Sequence, residues 1–504
     1  MGFWKRLIEI LVFSSEFKGQ SRFYLEVTNT TIAPDGYNVS RMLFNGSYPG
    51  PTLEGNWGDT FRITVKNNLT NFNGTSIHWH GIRQLNTNWM DGVSGVTECP
   101  IPPGENFTYE WRAQQYGVSW YHNADGLVGA LKINGPTSMN YDEDLGPVLI
   151  TDNFHKTAFS QVQLEYLVVA ADFVPITPYP ASIINVAIGQ RYDIIIVANA
   201  TKTDTKERDF WIHARDCSLG GAPSNLGIIR YDHTSTNIPH TPPVDDRHVC
   251  YGCLDEKAED LKPIVKRTVE PPANSDYKKK SFKVHLVGYP NAADNTSAMH
   301  KWVLKDSSFY LDWTEPSLSL VKVAFEKNWD TAPFPTGYEP VFLDDYKHGD
   351  WVYWLIEGKF QESVDNSTHN IYKKQAPVAH PMHIHGHDFV ILAQSTKEFN
   401  GTVEIDEKTF DNPARRDVAL LPVDGYLLIA FQINNPGIWL MHCHIAWHAS
   451  GGLALQFIES PKEIGPAFAK SGVASKFSEQ CTNWAAHYTL YNKNFHAEQD
   501  DSGI

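Results

Sequence analysis

Met441-His442-Cys443-His444-Ile445-Ala446-Trp447-His448 is the stretch around which the rest of the chain is organised. In an extended strand successive side chains point to opposite faces, so Cys443 faces one way while His442 and His444 face the other. One strand then serves two metal sites. A Cys thiolate with two imidazoles is the ligand set of a blue-copper electron-transfer centre, and His448, five residues beyond the cysteine, is placed to supply one imidazole. The second comes from elsewhere in the chain.

Other histidines cluster in the same way. Ser76-Ile77-His78-Trp79-His80-Gly81 puts two of them on one strand face, and His380-Pro381-Met382-His383-Ile384-His385-Gly386-His387 holds a second such pair with His380 just before it. His122 stands alone in Trp120-Tyr121-His122, where by itself it reads as a hydrogen-bonded core histidine. One H-x-H pair is an ordinary solvated strand face. Two pairs, with a third straddling a cysteine, exceed what one metal needs and point to a copper cluster.

Of 504 residues 42% are hydrophobic, enough for about three domains with real cores. Aromatics are plentiful, and Pro and Gly are spread among short apolar runs, which predicts an all-β protein. With 42 basic and 58 acidic residues the net charge is −16, which disfavours nucleic acid or an anionic membrane surface as a partner. Residues 1–21 read as a weak signal segment: the apolar run Leu7 to Phe13 carries Glu9 and is too short to span a bilayer, and no other spanning candidate occurs. Ten N-x-S/T sequons and six cysteines suit a secreted glycoprotein, since after Cys443 five cysteines remain for two disulfides and one leftover thiol.

Along the chain, residues 22–137 alternate as sandwich strands, with Phe23, Leu25 and Val27 and then Phe61, Ile63 and Val65 on single faces. Residues 138–262 contain the strand Arg191 to Val197 and another around Phe210 to Ile212, but no paired histidines, so this region reads as a spacer or a substrate wall. Its end is rich in Pro, Asp and Lys and contains Cys250-x-x-Cys253, which without a second such pair reads as disulfide rather than metal chemistry. Residues 263–504 carry strands near Trp351–Ile356, Asp388–Leu392, Leu427–Ile433 and Leu453–Ile458 and the two densest histidine motifs, none of which needs a helix to place it.

The blocks HWHG, DGVSGVTECPI, GVSWYH, GQRYD, HPMHIHGH, RRDVALLP, NPGIWLMHCHIAWH and the terminal DSGI resemble, in order and over nearly the whole chain, those of the multicopper oxidases, and among them the ascomycete laccases. The resemblance implies three consecutive cupredoxin-like β-sandwich domains and four coppers. His380, Cys443 and His448 match type 1 ligands, with Leu453 at the axial position, where a side chain that offers no donor raises the reduction potential. His78 and His383 match type 2 ligands, and His80, His122, His385, His442 and His444 match type 3 ligands. It further implies that electrons leave a small phenolic substrate at His448 and pass through Cys443 to the cluster, where four of them reduce dioxygen to water.

Asp91 matches an acid that relays protons to the cluster, its plainer reading being a turn residue before Gly92. Asp172 resembles a pocket carboxylate that takes a phenol's proton, and Trp313 and Trp447 resemble pocket walls. The family pairs Cys99 with Cys481 and Cys217 with Cys253, leaving Cys250, and its C-terminal tail plugs the channel to the cluster.

Two departures stand out. The family continues after His122 with a second histidine, whereas Ala124 stands here, so one copper of the type 3 pair lacks a ligand. Gln161 to Glu165 also runs almost directly into Tyr166 to Ala170, where the family has dozens more residues, so the second domain reads as truncated, with exposed edges and lost core. The leading expectation is therefore a secreted laccase-like oxidase. The alternatives are a ferroxidase or ascorbate-type oxidase of the same superfamily, or a copper-binding protein whose catalysis Ala124 has impaired.

Overall fold

The computed structural model describes residues 19–33, 38–123, 126–150, 160–196, 209–215, 225–230, 234–239, 253–272, 281–291, 294–329, 332–358, 363–364, 371–373, 378–403, 405–495 and 501–504. The signal segment before residue 19, Ala124, Cys217 and Cys250 lie outside these residues.

The first domain packs two four-stranded sheets. One orders its strands Val39–Phe44, Gln20–Ile32, Thr60–Asn67, Asn106–Arg112; the other orders Gly50–Asn56, Val128–Asn134, Gly117–His122, His78–Trp79. Alternation works as read: Phe61, Ile63 and Val65 are fully buried while Arg62, Thr64 and Lys66 are only partly so. Phe61 stacks on Trp111 with ring centroids 4.5 Å apart. Burying such a side chain contributes about 1.5–3 kcal/mol.

In the second region the described residues form one five-stranded sheet, Val174–Val186, Ser160–Ala171, Asp209–Arg215 and Asn225–Arg230, with Tyr192–Ile196 also paired to Ser160–Ala171.

The third region contains two five-stranded sheets and a smaller one. In the sheet that carries the metal motifs, Gly437–Cys443 lies between Ala454–Glu459 and His380–Ile384. Every residue of Gly437–Cys443 is buried, because its two faces serve two cores. Trp439, Met441 and Cys443 pack with Met382 and Leu453 inside the third domain. Ile438 and Leu440 point the other way, into the core shared with the first domain. The strand period thus puts Cys443 within one domain and His442 at the boundary of two.

Helices play a larger part than the sequence suggested. Ser317–Glu326, Pro461–Lys470 and the 22-residue Ala474–Phe495 pack Leu318, Phe468 and Phe477 against the first domain's core. The disulfide Cys99–Cys481 ties the last of them there across 382 residues of sequence. Cys253 is also disulfide-bonded.

Candidate metal centre

Strand register delivers the histidines in facing pairs. His78 lies opposite His122, His383 opposite His442, and Met382 opposite Cys443. Cβ atoms so paired are about 5 Å apart, within reach of a shared ion. His448 comes not from a strand but from the short helix Ala446–Ser450, so here a helix does place a motif residue.

Two groups result. In the first, Cys443 Sγ lies 3.6 Å from His380 Nδ1 and 3.5 Å from His448 Nδ1, and the two nitrogens are 3.1 Å apart. Leu453 is fully buried beside them, its carbonyl accepting from the Cys443 amide at 3.0 Å. His448 is only partly buried, whereas His380 and Cys443 are enclosed. Trp302, which sequence reading missed, packs on His448 with ring centroids 4.4 Å apart.

The second group gathers His78, His80, His122, His383, His385, His442 and His444, whose ring nitrogens fall into overlapping sets within 4.8 Å of one another. His444 Nε2 faces His80 Nδ1 at 3.1 Å, and with His122 these make a set of three imidazoles. His385 Nε2 faces His442 Nε2 at 3.2 Å. His387, the fourth histidine of its motif, turns away and meets Glu459 Oε2 at 2.7 Å.

These residues fit copper. The Nε2 atoms of His78, His122 and His383 are buried without a hydrogen-bond partner, a condition that costs about 1–3 kcal/mol each unless something else engages them. Two nitrogens each ~2.0 Å from one ion stand about 3.2 Å apart, close to the separations found here. Burial holds all seven imidazoles below the ordinary histidine range, His78 to about 3 and His442 to about 4, so they are neutral as ligands must be. Burial likewise pushes the Cys443 thiol well up, so its thiolate requires a compensating cation.

Asp91 accepts from His385 Nδ1 at 2.8 Å through its carboxylate and from His78 Nδ1 at 2.9 Å through its carbonyl. Burial raises its pKa to about 6, against the pull of His78. Behind it Glu98, fully buried, accepts from Tyr109 Oη at 2.7 Å, and burial lifts its carboxyl from 4.5 to about 8. An acid whose folded pKa is raised lends stability that is complete below pH 4.5 and is lost as pH climbs through about 8. Wild type should therefore lose ~1.4 kcal/mol per pH unit across that window relative to Glu98→Gln. Urea unfolding of both proteins at pH 5 and pH 8 measures the difference, and parallel losses would refute it.

Of the three residues read as belonging to a pocket, two line one cavity. Trp447 is 71% exposed and, with Trp313, lines an open cavity of about 2040 Å³ that reaches His122, His442 and His444. Trp313 sits at the tail end of that cavity, donating to the Gly503 carbonyl at 2.9 Å; the ring against His448 is Trp302. Asp172 is buried, at a turn with φ of 47°. Arg416 Nε at 2.8 Å and the Arg191 amide at 2.8 Å occupy its two oxygens, and these arginines outweigh burial and keep its pKa low. It is held as a buried anion and is not among the residues that line the cavity. In the tail, Ser502 is buried and bonds the carbonyls of Ser450 at 2.8 Å and Ala449 at 2.7 Å.

Multicopper oxidase family models match residues 26–138, 150–234 and 310–463. Dihydrogeodin oxidase of Aspergillus terreus is 39% identical over 557 aligned positions, covering 95% of this chain and 90% of its own. Laccase-2 of Botryotinia fuckeliana is 37% identical over 561, covering 96% and 88%. The crystal structure of the laccase from Botrytis aclada superposes with a TM-score of 0.75 at 34% identity, covering 97% of this chain and 95% of its own. The chain belongs to the multicopper oxidases. Within that family it is an ascomycete copper oxidoreductase. The 557 positions exceed the 504 residues present, so the relative holds segments without counterparts here.

Proposed function

We propose that the chain is a secreted laccase-type oxidase that takes single electrons from small phenols and passes them to dioxygen, reducing it to water. The observation that carries this reading is the His442-Cys443-His444 segment. Its cysteine belongs to one ligand group and its flanking histidines to the other, so a short bonded path joins the two.

In this reading His380, Cys443 and His448 hold one copper, with Leu453 beside it offering no donor. His78 and His383 hold a second, and His80, His122 and His444 with His385 and His442 hold a pair. Copper, when bound, supplies one-electron redox chemistry. The chain's own residues do the rest. His448 presents its partly exposed edge to a phenol, with Trp447 at the rim. Asp91 fixes two imidazoles and, titrating near neutrality, is suited to carry protons to reduced oxygen. Secretion is supported by the ten sequons and the Cys99–Cys481 disulfide.

A phenol is favoured over a metal ion as electron donor by the TECPI and DSGI blocks, and by relatives named laccase and dihydrogeodin oxidase. Comparing kcat/KM for a diphenol with that for Fe(II) tests this. The diphenol should be preferred, and preference for Fe(II) would overturn the substrate class. A second reading, a copper-binding protein with little turnover, is favoured by one observation. Where the resembled family carries a second histidine after His122 this chain has Ala124, and the third imidazole grouped with His385 and His442 is His383, which is also grouped with His78 and His80.

A further inference from the structure

Among the described residues the second domain contributes no histidine or cysteine to either ligand group, yet one of its side chains reaches the histidine cluster. Asp417 of the third domain is buried and lies 3.5 Å, through Oδ1, from His80 Nε2. Its backbone carbonyl accepts from His383 Nδ1 at 2.8 Å. Arg191, from the Gly189-Gln190-Arg191 turn of the second domain, grips the same carboxylate with both ends of its guanidinium, Nη2 to Oδ2 at 2.7 Å and Nη1 to Oδ1.

This mirrors the arrangement around Asp91. Each acid takes the first histidine of the H-x-H pair in its own domain by a carbonyl, His78 for Asp91 and His383 for Asp417. Each carboxylate then faces the second histidine of the other domain's pair, Asp91 hydrogen-bonding His385 at 2.8 Å and Asp417 lying 3.5 Å from His80 Nε2, which has no hydrogen-bond partner. The two halves of the cluster are thereby cross-linked. Only the Asp417 half has an arginine fork behind it among the described residues. The surroundings are shaped to that fork. Gly81, which ends the HWHG motif, has φ of +73°, and a Cβ there would come within 2.3 Å of Arg191 Nη2. Gly189, with φ of +88°, lets the same turn lie against His444, a Cβ there falling 3.0 Å from the ring.

We infer that Arg191 is a positioning residue for the cluster: by locking the Asp417 carboxylate it holds His80 with Nδ1 turned toward His444 and the metal space, and steadies His383 through the same backbone. The second domain thus acts as a clamp on ligands that belong to its neighbours. A fork is required because a carboxylate held at two points cannot rotate, whereas a lysine holds it at one. This inference rests on the cluster reading above only for its metal arm.

The test has two arms. In metal-free protein labelled with ¹⁵N-histidine, the His80 signal, identified by its loss in His80→Gln, should report the proton on Nε2. In Arg191→Met it should become a mixture of tautomers. Asp255→Ala is the control for loose docking of the second and third domains. Asp255 joins Gln190 at 2.6 Å to Gln394 at 2.7 Å and the Leu420 amide at 2.8 Å, contacts that involve no histidine. An unchanged tautomer in Arg191→Met, or an equal change in Asp255→Ala, would overturn the inference. In copper-loaded protein, Arg191→Met should release cluster copper to a chelator about 10–100-fold faster, the usual cost of losing an outer partner. Its blue absorption should persist, and Arg191→Lys should recover part of the retention. If wild type binds no cluster copper, the functional reading fails and the tautomer arm still decides the role of Arg191.

Discussion

Loaded with copper, the 504-residue chain should turn blue and yet reduce dioxygen more than about a hundredfold more slowly than Botrytis aclada laccase assayed beside it. The blue group is complete: Cys443 and two imidazoles meet in a core sealed by Met382, Met441 and Leu453. The second group, which we propose reduces dioxygen, departs from the family's ligand set. His80, His122 and His444 offer three nitrogens, whereas the sequence places alanine at 124, where the family's third partner for His385 and His442 stands. Losing even an outer-shell partner of a metal ligand costs about 10–100-fold, and a missing ligand costs more. Copper content measured together with oxygen uptake checks this. Fewer than four coppers and slow uptake are expected, and four coppers with full turnover would refute the prediction.

Replacing Cys443 by serine should abolish the blue absorption and bring phenol oxidation to background while cluster copper is retained. The colour and the electron relay both need a soft thiolate, and a serine hydroxyl in the same apolar pocket stays protonated and offers a hard oxygen. The variant also leaves a hydroxyl among buried apolar side chains, at about 1–3 kcal/mol, so thermal unfolding should be followed beside the spectrum. A folded Cys443→Ser protein that remained blue or turned over phenol would remove the cysteine from the site.

Much of the site was legible from spacing alone. Alternation along Gly437–Cys443 separates Trp439, Met441 and Cys443 from Ile438, Leu440 and His442, and the structure packs those sets into different cores. The H-x-H pairs came through for the same reason. Other surroundings were not legible because they depend on distant partners. Asp172 resembled a substrate carboxylate until Arg416, 244 residues away, was found across from it. Trp302, which packs on His448, carries no local signal, whereas Trp313 does line the cavity, at its tail end. The C-terminal helix Ala474–Phe495 escaped notice in a chain read as strands.

The sequence by itself determined that Cys443 turns to one face and its flanking histidines to the other, because the two-residue period of a strand is a matter of covalent geometry and is carried by every local stretch. Only the tertiary structure decided what holds those ligands in place. Arg191 and Asp417 are 226 residues apart, and no local pattern marks either as the other's partner. Their meeting follows from how three domains pack, as do the crossed contacts of Asp91 and Asp417 that orient the histidines each domain presents to the other.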